Sequence, residues 1–199
     1  MLINASRLAN YPVLSLHIGG PVAWTHTNIV DPEKLKIVAF TVDGPVIKND
    51  PEVGSILEAS DVREFSNSGM IIDSVEDFVN PGDVIKLDKI MELNFDLNRL
   101  KVETKKGTKL GKIIDYVVDT ETFAVLQLVV KRPAVKAILD PELIISRKEI
   151  VEVNDYKIIV KDEEEKIRKR AAHEDFVPNF VNPFREPDFS TNRIQKEKE

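Results

Sequence analysis

Two apolar runs separated by a short polar turn mark the centre of the second half of the chain. The runs are Lys109–Val118 and Phe123–Val130, and the turn is Asp119–Thr122. β-Branched and aromatic residues favour strands, and a short polar segment between two such runs favours a β-hairpin. The second run is almost wholly apolar, which predicts a strand buried on both faces.

The same pattern occurs 88 residues earlier in the chain, over Val22–Ile72, without a gap. Asp31 then corresponds to Asp119, and Pro45 corresponds to Pro133. Because turns and apolar positions coincide throughout, the sequence predicts two copies of one small β-rich unit. We expect each copy to be a closed domain with its own core. The predicted core of the second copy contains Leu110, Ile113, Val117, Leu126, Leu128 and Ile150.

A helix is predicted between the two copies and ends near Leu93. Asn80 is a suitable N-cap, and Pro81 fits the first helical position. Asp83 suits the positive end of the helix dipole. One face of this helix is apolar and contains Val84, Leu87, Ile90 and Met91. We therefore expect the helix to pack on one or both β-units.

The predicted organisation is a first β-unit at 1–79, a linker helix at 80–93, a second β-unit at 94–160 and a tail at 161–199. The tail begins with charged residues that suit a solvated helix or a disordered segment. Four phenylalanines follow among three prolines, namely Phe176, Phe180, Phe184 and Phe189. This composition predicts a peptide that docks on protein, either on this chain, on a second copy in a homo-oligomer or on another partner.

The composition limits the classes of function. The chain has no cysteine, which excludes disulfides and thiolate metal sites and fits a cytoplasmic protein. The sequence contains no run of about 18 apolar residues, so we expect no membrane span. The net charge of −6 disfavours general nucleic-acid binding but leaves room for a local basic patch.

Few residues suit catalysis. His17 and His26 could approach each other across adjacent strands near Asp31, but two histidines without a third ligand are more often structural. Asp31 and Asp119 stand at the same turn of both copies, which favours turn capping over acid–base chemistry. We predict no catalytic site, no metal site and no cofactor.

Two surface features suit binding. Trp24 corresponds to Lys112, which we expect to face outward, so Trp24 is either covered by the linker helix or tail or is an interface anchor. A basic edge is formed by Lys105, Lys106, Lys109 and Lys112. A solvated strand face explains this edge. A contact with RNA or an acidic partner is the alternative, although no aromatic residues interleave to stack bases.

A family pattern lies in the second copy, at Gly107, Leu110, Gly111, Asp115 and Asp119. This Gly…Leu-Gly…Asp…Asp arrangement, followed by a strand and the segment Glu142–Val153, resembles the PRC-barrel domain. The family occurs in the photosynthetic reaction centre H subunit and in the ribosome maturation factor RimM. The first copy is similar but has Ala23 in place of Gly111 and Thr27 in place of Asp115. The glycines are interpreted as turn and packing positions, since no helix follows them to form a phosphate loop.

The resemblance implies a small, mostly antiparallel β-barrel that works as a binding or assembly module. The expected fold is therefore mostly β, with two such barrels in tandem joined by a short helix. The leading hypothesis for the function is a non-enzymatic scaffold or adaptor that binds another protein. The competing hypothesis is an RNA- or ribosome-associated assembly factor of the RimM kind.

Overall fold

The computed structural model describes residues 1–50, 52–133 and 141–162. Residues Met1–Asp162 form one compact unit. The four phenylalanines of the tail lie outside the described residues. Within the described residues the fold is mostly β, as the sequence predicts, and its strands form two sheets.

The strands, α-helices and 3-10 helices have the following residue ranges. The strands are β1 (Leu2–Asn4), β2 (Pro12–Ser15), β3 (Gly20–Asp31), β4 (Lys36–Asp43), β5 (Ile56–Glu58), β6 (Glu64–Ser66), β7 (Gly69–Ile72), β8 (Phe78–Val79), β9 (Lys101–Thr104), β10 (Lys109–Asp119), β11 (Val125–Lys131), β12 (Glu142–Ser146), β13 (Ile150–Val153) and β14 (Lys157–Val160). The α-helices are α1 (Pro45–Asn49) and α2 (Ile85–Glu92). Short 3-10 helices cover Ala5–Leu8, Val75–Asp77, Leu97–Arg99 and Arg147–Glu149.

The two sheets share one strand order. The first sheet runs β6-β7-β2-β3-β4-β5-β8, and the second runs β12-β11-β10-β9-β14-β13, with β1 paired to β10. Six strands of the first sheet, in the order β5-β4-β3-β2-β7-β6, correspond one by one to the six strands β12-β11-β10-β9-β14-β13 of the second. Each sheet has one parallel pair, β2 with β7 and β9 with β14. Neither sheet closes on itself into a barrel among the described residues.

The residue register also corresponds between the sheets. Val13 pairs with Ala23 in the first sheet, and Val102 pairs with Gly111 in the second. Ala23 and Gly111 lie 88 positions apart in the sequence, whereas their pairing partners, Val13 and Val102, lie 89 positions apart. The segment from Val13 to Ala23 is therefore one residue longer than the segment from Val102 to Gly111. The correspondence thus includes β2 and β9, which precede the stretch that the sequence pattern identified.

Reciprocal backbone hydrogen bonds join the two sheets at the starts of β4 and β11. The amide of Ile37 donates to the carbonyl oxygen of Phe123, and the amide of Val125 donates to that of Leu35, both at 2.9 Å. Leu35 and Phe123 correspond to each other, and both have positive φ, 46° and 56°. Each half therefore makes the same contact on the other, as the two protomers do in a two-fold symmetric dimer.

One hydrophobic core serves both sheets. The ring of Phe123, from the second half, lies 5.5 Å from that of Phe40 and 6.4 Å from that of Phe65, both in the first half. A single cluster of buried residues includes Phe40 and Leu57 as well as Leu128. The expectation of two separate cores is therefore wrong. The contacts of Phe123 thus join buried residues of both sheets in one cluster.

The predicted second core is only partly correct. Ile113 and Leu128 are fully buried. The other four predicted core residues, Leu110, Val117, Leu126 and Ile150, are half-buried. Strand β11 alternates between buried residues such as Val130 and half-buried residues such as Val129. The prediction that this strand is buried on both faces is therefore wrong, and its outer face is partly exposed.

The linker helix covers the outer face of the first sheet. It begins at Ile85, later than predicted, because Asp83 accepts a hydrogen bond from the backbone amide of Asn80 at 2.8 Å and closes a turn there. Leu87 is buried in a small cluster with Ala39 and Ile56, which is separate from the main core. The apolar face of the helix thus packs on a β-unit, as its sequence pattern predicts.

Candidate interaction surface

A row of four lysines crosses the outer face of the second sheet. Lys157 on β14 pairs with Lys101 on β9, Lys101 pairs with Lys112 on β10, and Lys112 pairs with Lys131 on β11. Directly paired residues point to the same face of a sheet. We call these four residues the lysine row.

The lysines of the row repel each other, because like charges directly opposite each other on neighbouring strands are unfavourable. At one end of the row, Lys131 also faces Glu142 on β12. The positive charge of Lys157 is compensated by an ion pair with Glu103, whose Oε2 lies 2.9 Å from the lysine Nζ. The hydrogen bond from Lys157 also holds the pKa of Glu103 below its usual value. Lys101, Lys112 and Lys131 form no ion pair within the described part of the chain.

A groove of about 610 Å³ contains three residues of the lysine row, Lys101, Lys112 and Lys131. Two further cationic residues, Lys109 and Arg132, line the same groove, together with one carboxylate, that of Glu103. The surface therefore concentrates positive charge on a chain whose net charge is −6. Such a patch raises the local concentration of anionic ligands.

Exposed apolar side chains lie beside the lysine row. Val129 on β11 pairs with Ile144 on β12, and Ile144 is 62% exposed. Ile114 is the extra residue of a bulge in β10 next to Val129, and it is 42% exposed. We call Ile114, Val129 and Ile144 the isoleucine patch. The outer face of the second sheet thus combines a cationic row with an apolar patch.

The corresponding row of the first sheet has different chemistry. Pro12 pairs with Trp24, and Trp24 pairs with Asp43. We call these three residues the tryptophan row. They stand where Lys101, Lys112 and Lys131 stand in the second sheet. The same row therefore carries an aromatic ring and a carboxylate in one sheet and three ammonium groups in the other.

Trp24 lies at the rim of a groove of about 530 Å³ and is 38% exposed. Residues of α1 line the same groove, whereas the linker helix packs on Ala39 and Ile56. Asp43 bonds through Oδ2 to Nζ of Lys48 at 2.8 Å, and this hydrogen bond lowers the pKa of Asp43. The outward position predicted for Trp24 is thus what the structure has. Whether the tail covers it falls outside the described residues.

The basic edge predicted from the sequence divides into two parts. Lys109 and Lys112 line the cationic groove. Lys105 and Lys106 lie in the turn before β10, where the backbone amide of Lys105 donates to the carbonyl oxygen of Val160 at 3.0 Å. Sequence reasoning missed Lys101, Lys131 and Lys157. Their only sequence signal is that each is a polar residue at the end of an apolar strand, and strand pairing alone brings them together.

The two histidines do not share a site. His17 lies in the turn between β2 and β3, where its amide donates to the carbonyl oxygen of Asp73 at 3.0 Å. His26 lies well along β3, six residues beyond Gly20, or about 20 Å at the rise of a strand. Among the described residues, no group of three or more histidine, aspartate or glutamate side chains could hold a metal ion.

The recurring aspartates cap turns, as the sequence predicts. Oδ1 of Asp31 accepts hydrogen bonds from the amides of Glu33 and Lys34 at 2.9 and 3.1 Å. Oδ2 of Asp119 accepts one from the hydroxyl of Thr122 at 2.6 Å and one from its amide at 3.2 Å. The Thr122 hydroxyl is the main reason that the pKa of Asp119 is lowered. The two corresponding carboxylates thus stabilise corresponding turns.

Asp115, the other aspartate of the family pattern, also has a structural role. Its two carboxylate oxygens accept hydrogen bonds from the amide and the hydroxyl of Ser6, at 3.1 and 2.7 Å. This contact fixes the 3-10 helix that follows β1 against β10. The pattern residues described so far therefore hold turns and segments in place.

No protein-family model matches the chain, and no curated protein sequence matches it. In the part of the chain that the structure describes, the helices are too short or too polar to cross a bilayer.

Proposed function

We propose that the chain is a non-enzymatic scaffold, built from two PRC-barrel-like units in tandem, that holds partner proteins on its outer faces. The common strand order of the two sheets supports the tandem arrangement. The matching pairs of Val13 with Ala23 and of Val102 with Gly111 support it as well.

The contrast between the lysine row and the tryptophan row carries the proposal. Beneath the two rows, the corresponding residues Val13 and Val102 are both fully buried, so the inner face has kept its chemistry. On the outer face, Trp24 corresponds to Lys112, and Asp43 corresponds to Lys131. Outer positions that serve only solvation do not need an exposed tryptophan or a row of repelling lysines. Two different rows on one rigid unit suit an adaptor with two different partners.

A second candidate function is RNA or ribosome association, and the lysine row is the observation that favours it. Phosphate groups bind to such cationic rows through charge alone. Single-stranded nucleic acid is usually also held by stacking on aromatic side chains. No aromatic side chain lines the cationic groove among the described residues. This difference favours protein partners over RNA.

The scaffold proposal is tested by affinity capture from a native lysate of the source cell. The full chain is compared with Trp24→Ala and with the triple variant Lys101→Gln/Lys112→Gln/Lys131→Gln. We expect each variant to lose a different set of captured proteins, and nuclease treatment to leave both sets bound. Capture that is the same for all three proteins contradicts the scaffold, and capture that nuclease abolishes supports the RNA candidate.

A matched control removes the same charge elsewhere on the surface. Lys86 and Lys89 are exposed on the linker helix, and Lys148 is exposed in the 3-10 helix after β12. The triple variant Lys86→Gln/Lys89→Gln/Lys148→Gln should capture the same proteins as the wild-type chain. Loss of capture in this control would assign the effect to net charge rather than to the lysine row.

A further inference from the structure

We infer that the lysine row and the isoleucine patch together bind an acidic amphipathic helix of a partner protein. The inference rests on the proposed scaffold function and names the chemistry of one of its partners. The helix would place a stripe of carboxylates on the lysine row and an adjoining apolar stripe on the isoleucine patch. Its axis would run across the strands, parallel to the row.

Charge complementarity is the first argument. Lys101, Lys112 and Lys131 repel each other, and among the described residues no carboxylate lies within ion-pair distance of them, although Glu142 is the cross-strand neighbour of Lys131. A line of carboxylates above them would replace this repulsion with attraction. Exposed ion pairs contribute little one at a time, but several in one array on a rigid sheet act together. The row therefore suits a ligand that carries its negative charges in a line.

Spacing is the second argument, and it selects a helix. Neighbouring strands lie about 4.8 Å apart, so the four lysines span about 14 Å at their Cα positions. Successive turns of an α-helix rise about 5.4 Å, so three turns span about 16 Å and present four carboxylates at nearly the same interval. An extended peptide shows same-face residues about 6.7 Å apart and would need about 20 Å for four of them. Flexible lysine stems absorb the smaller mismatch more easily than the larger one.

The apolar patch is the third argument, and it separates a protein helix from RNA. Ile114 and Ile144 are exposed on the same face as the row, displaced from it by about two residues along their strands, or about 7 Å. Two adjacent stripes of side chains on one helix lie a similar distance apart, because a helix with its side chains is about 10 Å wide. An amphipathic helix can thus contact both features at once. A phosphate backbone has no group that gains from the isoleucines.

The test measures binding of a labelled synthetic peptide to the full chain by fluorescence anisotropy. The peptide forms a helix with glutamates at i, i+4, i+7 and i+11 and leucines on the adjoining stripe. Its control has the same composition in scrambled order, so that it keeps the net charge but loses both stripes. We expect the striped peptide to bind at least about tenfold more tightly than the scrambled one.

Variants of the chain assign the binding to the surface. Lys101→Gln/Lys112→Gln/Lys131→Gln should weaken binding of the striped peptide by about tenfold or more and should reduce its dependence on salt. Ile114→Ser/Ile144→Ser should weaken binding severalfold without removing the salt dependence, and both changes are at exposed positions that do not threaten the fold. Lys86→Gln/Lys89→Gln/Lys148→Gln should bind as the wild-type chain does.

The inference is overturned if the scrambled peptide binds equally well, or if the lysine variants leave binding unchanged. It is also overturned if a single-stranded RNA oligonucleotide binds more tightly than the striped peptide and displaces it. If the peptide test fails but capture from lysate still depends on the lysine row, the acidic helix is excluded as the partner and the scaffold proposal stands. Capture in lysate that depends on neither the lysine row nor Trp24 would instead remove the scaffold itself.

Discussion

The side-chain amide of Asn28 donates a hydrogen bond to the hydroxyl oxygen of Tyr116 at 3.2 Å, although the two residues stand 88 positions apart. This separation is also the offset between the two halves, so each residue contacts its own counterpart. Lys36 and Ala124, another corresponding pair, form an isolated β-bridge. Contacts between a residue and its counterpart occur on the two-fold axis of a symmetric dimer. The chain therefore contains, between its two halves, an interface of the kind that usually joins two subunits.

The shared core predicts that the two halves unfold together. Trp24 is the single tryptophan of the chain and lies in the first sheet, so its fluorescence reports on that sheet. Ile145 is fully buried in the second sheet. Ile145→Ala should lower the free energy of unfolding by roughly 2–5 kcal/mol. Because the halves share one core, urea denaturation followed by Trp24 fluorescence should show the whole decrease.

The neighbouring residue provides the control for this measurement. Ile144 belongs to the isoleucine patch and is exposed, so Ile144→Ala should change the free energy of unfolding by about 0.5 kcal/mol or less. If Ile145→Ala left the fluorescence transition at the wild-type urea concentration while shifting the circular dichroism transition, the halves would be independent domains.

Burial of Tyr116 predicts a loss of stability at alkaline pH. Burial raises the pKa of this hydroxyl to about 12, against the hydrogen bond from Asn28, which acts in the opposite direction. The unfolded chain has a tyrosine pKa of about 10, so above this pH the unfolded state loses its proton first. The stabilisation is complete below about pH 10 and decreases as pH rises towards 12, by roughly 2–3 kcal/mol in all.

Tyr116→Phe isolates this contribution. The variant should be less stable at neutral pH by about 0.5–1.5 kcal/mol, because Asn28 loses the hydroxyl acceptor. Its stability should fall less steeply above pH 10 than that of the wild-type chain. Burial also raises the pKa of Tyr11, so the comparison uses the difference between the two proteins, in which that contribution cancels. Parallel curves for the two proteins would show that Tyr116 does not carry the alkaline effect.

Gly111 should tolerate no side chain. Its φ is +149°, and a Cβ at this position would lie 2.0 Å from the carbonyl oxygen of Lys131. Gly111→Ala should therefore lower the free energy of unfolding by roughly 3 kcal/mol or more in thermal or urea denaturation. The corresponding residue in the first sheet is Ala23, which is not among the residues with positive φ. The difference in backbone conformation explains why alanine is accepted there.

A second glycine tests whether φ or space sets the effect at Gly111. Gly107 also has positive φ, +80°, but nothing lies within 4 Å of a Cβ built on it. Gly107→Ala should lower the free energy of unfolding by about 1 kcal/mol, the strain of the left-handed conformation alone. Equal effects of the two substitutions would contradict the steric explanation for Gly111.

Local features of this protein could be predicted from its sequence because they depend on near neighbours along the chain. The Asp31 and Asp119 caps each involve groups within three residues. The offset of 88 residues identified strands that prove to have the same order in both sheets. The linker helix was found for the same reason, although its first turn was misplaced.

The candidate site could not be predicted in the same way. The basic edge contained Lys109 and Lys112, but the lysine row also needs Lys101, Lys131 and Lys157, which lie on other strands. Their approach depends on strand register, and register is set by the burial of whole apolar faces rather than by any local signal. The isoleucine patch has the same origin, because its residues belong to three different strands.

By itself, the sequence determined that this chain forms mostly β structure, with capped turns and an amphipathic helix. Only the tertiary structure decided that the halves share one core, that Asn28 meets Tyr116, and that four lysines form a row. The physical reason is the range of the interactions. Propensity, capping and alternation act within a few residues, whereas the core contacts of Phe123 and the strand pairs that align the lysines join residues far apart in the chain.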